Sequence, residues 1–136
     1  MLTVTPPPFP VCSRGVIEKR KGASAMDTPL AVAYRMQAPA EVQFSGTVSS
    51  PERFFYGRNT RQEHEAFDVA TASGRVEIVN NVVIGQPVPV HPGDTIGVRG
   101  EMVHDPGRLP CVHFVHHDPE HTHTDGYLRV DGKTYA

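Results

Sequence analysis

The stretch HPGDTIGVRGEMVHD, residues 91–105, decides how the rest of the chain is read. Ile96, Val98, Gly100 and Met102 take one face of it, while Thr95, Arg99 and Glu101 take the other. That period of two is what a strand with one buried face requires. Two glycines inside such a strand, Gly97 and Gly100, predict the sharp bending of a small barrel or the close approach of another backbone.

The same period extends in both directions. In EVQFSGTVSS (41–50), Val42, Phe44 and Val48 alternate with polar residues, and HEAFDVAT (64–71) does the same with Phe67 and Val69. Ser73-Gly74 turns the chain into RVEIVNNVVI (75–84), so residues 67–83 read as a hairpin. Pro87, Pro89 and Pro92 mark a loop, because proline cannot donate to a central ladder. LPCVHFVHH (109–117) is a further strand with Val112 and Phe114 inward. GYLRVDGKTY (126–135) places Asp131-Gly132 between β-rich flanks, a strong short-range hairpin signal. Upstream, a short helix fits residues 29–36, and Pro6, Pro7, Pro8 and Pro10 favour an extended stretch. The chain therefore divides into an N-terminal extension over 1–38 and a single β domain over 39–136. Twelve Gly and 13 Pro in 136 residues argue against a helical bundle. The expected fold is all-β: a small five-stranded barrel or curled sheet with a C-terminal hairpin. PGDTIGVRGEM resembles the turn-and-strand entry of oligonucleotide/oligosaccharide-binding (OB) barrels, a likeness of fold and not of function.

Charge narrows the partners. The formal net charge is −2, but Arg14, Lys19, Arg20 and Lys21 face only Glu18 in the first 25 residues, leaving nine basic against fourteen acidic residues downstream. A phosphate backbone is repelled by that average field, so single-stranded nucleic acid is a permitted but disfavoured partner. No apolar run reaches the roughly 18 residues of a membrane span, and no secretory core is visible near Met1. A cytoplasmic protein is expected, starting at Met1 or Met26. Cys12 and Cys111 stand far apart with no CxxC, which argues against a disulfide framework.

Five of the eight histidines fall in VHFVHHDPEHTHTDG (112–126). His113 and His117 on one extended strand would lie roughly 13 Å apart, too far to share an ion, whereas His121 and His123 would lie roughly 6.6 Å apart on one face. Asp118-Pro119 forces a turn that folds the second pair back toward the first. His113, His116, His117, Asp118, His121 and His123 are thus the candidate ligands of a divalent metal, with Zn²⁺ the best match to several imidazoles plus a carboxylate or water. The bland alternatives are a hydrogen-bonded histidine network and a solvated loop. His91 and His104 sit beside turns, as surface residues do. A second feature is Phe54, Phe55 and Tyr56 with Arg58 and Arg61, an aromatic-basic stretch able to stack bases or simply to cap the barrel.

The C-terminal half resembles a bacterial family known only as domain of unknown function 3465, a small OB-like β domain. The resemblance rests on Gly93-Asp94, Gly100-Glu101, His113, His116-His117-Asp118-Pro119, His123, Gly126, Gly132-Lys133 and Tyr135, with His64 and Phe67 matching an upstream element. It spans about residues 42–136. Phe114 and Tyr127 stand where the family has tryptophans, Asn80-Asn81 where it has a His-Asn pair, and His121 where it has glycine. The resemblance implies no activity. Three functions compete: a binding module with a metal or pH-sensitive clasp, a metal-dependent hydrolase or nuclease with His64 or Glu65 as base, and a structural domain. No G-x-S-x-G, H-E-x-x-H or phosphate-cradling glycine loop supports another chemistry. Whether the protein is an enzyme stays open at this point.

Overall fold

The computed structural model describes residues 27–136. The proline-rich stretch at 6–10 and most of the expected extension lie outside the described residues. A helix, α1 (Leu30–Arg35), is followed by strands β1 (Ala40–Val48), β2 (Arg53–Tyr56), β3 (Glu63–Thr71), β4 (Gly74–Asn81), β5 (Thr95–Val103), β6 (Cys111–His113), β7 (Tyr127–Val130) and β8 (Lys133–Tyr135).

Five of these strands close a barrel in the order β1-β3-β4-β6-β5, with β5 returning to β1. All neighbours are antiparallel except β4 and β6. Numbered among themselves the barrel strands run 1-2-3-5-4-1, the Greek-key barrel of the OB fold. Strand β2 adds to β3 outside the ring, and the β7–β8 hairpin adds to β5. The Asp131-Gly132 turn has both residues at positive φ, 52° and 78°, as the expected two-residue hairpin demands.

Alternation along each strand sorts side chains by face. Val42, Phe67, Val69, Val76, Ile78, Ile96, Val98, Met102 and Val112 fill the barrel interior, and Leu128 and Val130 of β7 join the same core. Burying each such side chain contributes about 1.5–3 kcal/mol. On the outer side, Phe55, Ala66, Val79 and Cys111 form a second, smaller cluster beneath β2. Close approach explains Gly100: a Cβ there would lie 2.5 Å from the His113 carbonyl oxygen. Gly97 meets only the Arg129 Cβ at an ordinary 3.6 Å, so it is not needed for packing.

Residues just before 39 pack on the barrel: Ala33 is fully buried in the barrel core, the Tyr34 hydroxyl donates to the Arg75 carbonyl, and Arg99 pairs with Asp27. The cysteine reading is corrected, because Cys111 is disulfide-bonded. The chain's other cysteine, Cys12, lies outside the described residues. No helix among the described residues is long and apolar enough to cross a membrane.

A polar pair, Glu65 and Asn80, interrupts the apolar interior. Glu65 is fully buried, and its Oε1 accepts from the Asn80 amide and the Val88 N–H. Burial, reinforced by the neighbouring Glu52 carboxyl, pushes it up to about 8 despite those two hydrogen bonds. Below pH 4.5 both folded and unfolded forms are neutral. Between pH 4.5 and 8 the folded form holds a proton that the unfolded form has lost, so stability falls as pH rises across that window. Glu65→Gln retains an acceptor oxygen and cannot ionise. Its melting temperature should exceed that of the wild type at pH 8.5, with the difference closing near pH 5. A pH-independent difference in thermal melts would contradict the assignment.

Candidate functional site

Strand β6 stops at His113 because Phe114 adopts φ 58°, a left-handed conformation that costs a bulky residue roughly 1–3 kcal/mol. Stacking helps offset it. The Phe114 ring lies between those of His113 (centroids 4.1 Å apart, planes at 13°) and His123 (3.7 Å, 6°). Past this reversal the chain forms a loop, 114–126, organised around one carboxylate. Asp118 accepts from the backbone N–H groups of Glu120, Thr122 and His123 and from the Thr122 hydroxyl. Desolvation alone would raise Asp118, but the hydrogen bonds from His123, Glu120 and Thr122 outweigh it and hold the carboxyl well below its usual range. Asp125 closes the loop, accepting the Asp118 N–H on Oδ1 and the His117 Nδ1–H on Oδ2.

The loop roofs a cavity of about 280 Å³ on the outer side of the barrel wall. Four histidines from two parts of the sequence line it: His64, His113, His116 and His123. Each is pinned through one ring nitrogen. His64, His116 and His123 give Nδ1–H to the carbonyls of Gln62, His117 and Thr124, at 2.9, 2.8 and 2.8 Å. Because a carbonyl only accepts, Nδ1 carries a hydrogen, and in the neutral ring Nε2 carries the lone pair. His113 is pinned in the opposite sense, its Nε2 3.0 Å from Glu101 Oε1. Burial lowers the pKa of His64 and His116, an effect larger than the opposing pull of their backbone hydrogen bonds. Both are therefore neutral near pH 7. Pinning of the distal nitrogen by a carbonyl or carboxylate is the arrangement that orients imidazoles toward a metal.

The expected ligand set is only partly assembled. His116 and His123 meet edge to face with centroids 5.3 Å apart. His113 is separated from His123 by the thickness of the Phe114 ring. His117 is exposed, paired with Asp125 and beside the exposed His121, with rings 6.3 Å apart; neither lines the cavity. The extended pairing expected for His121 and His123 is broken by the left-handed φ of 56° at His121. Asp118 Oδ2 is 3.8 Å from His123 Nε2, but its lone pairs serve the loop. Among the described residues no three His, Cys, Asp or Glu side chains form a group able to hold an ion as they stand.

The remaining candidates separate by face. His64 points into the cavity and stacks on the buried Phe55 at 5.4 Å. Glu65, the next residue, points into the barrel, so the two proposed bases cannot serve one site. Phe54 and Tyr56 alternate with Phe55 and stay 52% and 59% exposed, and Arg58 and Arg61 are exposed in the following loop. Of the expected aromatic-basic patch, none lines the cavity. His104 is half-buried against the Ala33 carbonyl, while His91 stays exposed as expected. Glu101 escaped the sequence reading as a functional residue. Its signal was position: it lies on the outward face of β5, directly opposite His113 in the ladder.

No curated protein matches the chain. The profile of one family does, over residues 16–136, and its description is "Protein of unknown function (DUF3465)". A match covering nearly the whole chain, across the barrel and the histidine-lined loop alike, shows that the protein belongs to the DUF3465 family.

Proposed function

We propose that this protein is a binding module that holds one divalent cation, Zn²⁺ or an ion of similar preference, between Nε2 of His116 and Nε2 of His123. The carrying observation is their 5.3 Å centroid separation. Two imidazoles bound to one tetrahedral ion at about 2.0–2.1 Å have ring centroids roughly 5 Å apart. Imidazoles that give Nδ1–H to a carbonyl keep Nε2 as their acceptor nitrogen, and the natural complement of two such neighbouring acceptors is a cation. His64 and His113 line the same cavity. A cation with open positions could also activate water; with Glu65 turned inward, His64 is the base left for a hydrolase reading. A disulfide at Cys111 suits an oxidising compartment better than the cytoplasm expected from the sequence.

The test is metal titration of the full chain, purified without a polyhistidine tag and stripped with chelator. Near one Zn²⁺ or Co²⁺ per chain should bind, with a rise in melting temperature through mass action. His116→Ala should weaken binding at least about tenfold, whereas a His117→Ala/His121→Ala double variant should change it by less than about threefold. The reverse order of effects would place any ion on the exposed pair, and no stoichiometric binding would end the proposal.

A further inference from the structure

We infer that the open positions of this ion take a small monocarboxylate with an apolar body, an inference that rests on the cation site proposed above. An ion held by two neutral imidazoles keeps its full double charge and, if four-coordinate, two free positions. Asp118, the nearest carboxylate, offsets part of that charge through space, but its oxygens are committed to loop N–H groups and fill neither open position. An incoming oxygen anion is therefore favoured, and a carboxylate can fill both positions.

The walls then choose among anions. Val79, Ile84, Phe114 and Pro119 supply apolar surface, and no lysine or arginine is among the residues lining the cavity. Asp118 and Glu120 add negative charge at the lining instead. A ligand with a second negative charge, such as a phosphate dianion, would find nothing to pair with once its first oxygens reached the ion, and would leave a desolvated charge. A monoanion with a hydrocarbon body meets no such cost. Ile84 is 44% exposed at the cavity, so covering it with an apolar ligand removes surface that folding leaves wet. The 280 Å³ volume lies at the small end of ligand pockets and suits a body of about ten heavy atoms or fewer.

Co²⁺-loaded full chain provides the readout, because the visible ligand-field bands report exchange at the ion's open positions. Acetate, benzoate and phenylphosphonate are titrated separately. Benzoate should shift the bands and bind at least about tenfold more tightly than acetate, reflecting burial of its ring. Phenylphosphonate, with the same ring and an extra charge, should bind more weakly than benzoate. Ile84→Ser should weaken benzoate at least about threefold while leaving acetate and Co²⁺ affinities unchanged. Equal affinity for acetate and benzoate, or tighter phenylphosphonate, overturns the inference while the cation reading stands. Absence of Co²⁺ binding overturns both.

Discussion

Asp118→Ala should destabilise the protein by about 2–4 kcal/mol and abolish cation binding, the largest single effect expected in the site. Hydrogen bonds to a charged acceptor contribute about 1.5–3 kcal/mol each. This carboxylate receives three from backbone N–H groups and one from a hydroxyl. Water can reach some of those donors in the exposed loop, so the contributions do not simply add. One donor is the backbone of His123 itself, so losing the acceptor frees the imidazole that must face His116. Asp118→Asn should fall between, since an amide keeps one acceptor oxygen. The folded-state carboxyl lies below its ordinary value. Its stabilisation is thus present above about pH 3.8 and lost as pH falls further. Denaturant titrations of the three forms at pH 7 give the ranking. An alanine variant within about 0.5 kcal/mol of wild type, the range of ordinary surface substitutions, would show that the loop is organised by something else.

Gly126→Ala should cost at least about 3 kcal/mol, more than ordinary overpacking, because nothing flexible stands in the way. A Cβ at Gly126 would lie 2.1 Å from the Phe114 carbonyl oxygen and 2.4 Å from that of Arg99, both backbone atoms. The Gly126 N–H also donates to the His116 carbonyl at 2.9 Å, so displacement moves a proposed ligand directly. Gly97→Ala is the control, with an ordinary 3.6 Å contact and an expected change within about 1 kcal/mol. Equal effects of the two substitutions in equilibrium unfolding would contradict the packing argument.

The barrel was legible because its strands bury one face each. Val42, Phe67, Val76, Ile96 and Leu128 sit where a period of two puts them, and the hairpin turns at Ser73-Gly74 and Asp131-Gly132 carry their own chemistry. Strand β2 was not legible as a strand: four residues that alternate buried Phe55 with exposed Phe54 and Tyr56 read equally well as a loop. The run 109–117 forms a shorter strand than its alternation predicts. Its alternation continues through Phe114, but left-handed backbone at that residue ends the strand, and no local rule assigns such a conformation to phenylalanine.

The histidine cluster was visible as a cluster and opaque as a site. Spacing in VHFVHHDPEHTHTDG treats His117 and His121 as equals of His116 and His123. What divides them is which ring the loop turns inward, and that depends on hydrogen bonds that Asp118 and Asp125 accept from backbone N–H groups. His64 reaches the same cavity from a strand some fifty positions earlier, a juxtaposition set by the barrel and by no nearby residue.

The parallel contact between β4 and β6, and the return of β5 to β1, join segments distant in sequence. Such topologies have high contact order and fold in milliseconds to seconds. The imidazoles of His64 and His116 can share a chamber only after the parallel β4–β6 contact has formed. A newly made chain must make that long-range pairing before it can capture anything there.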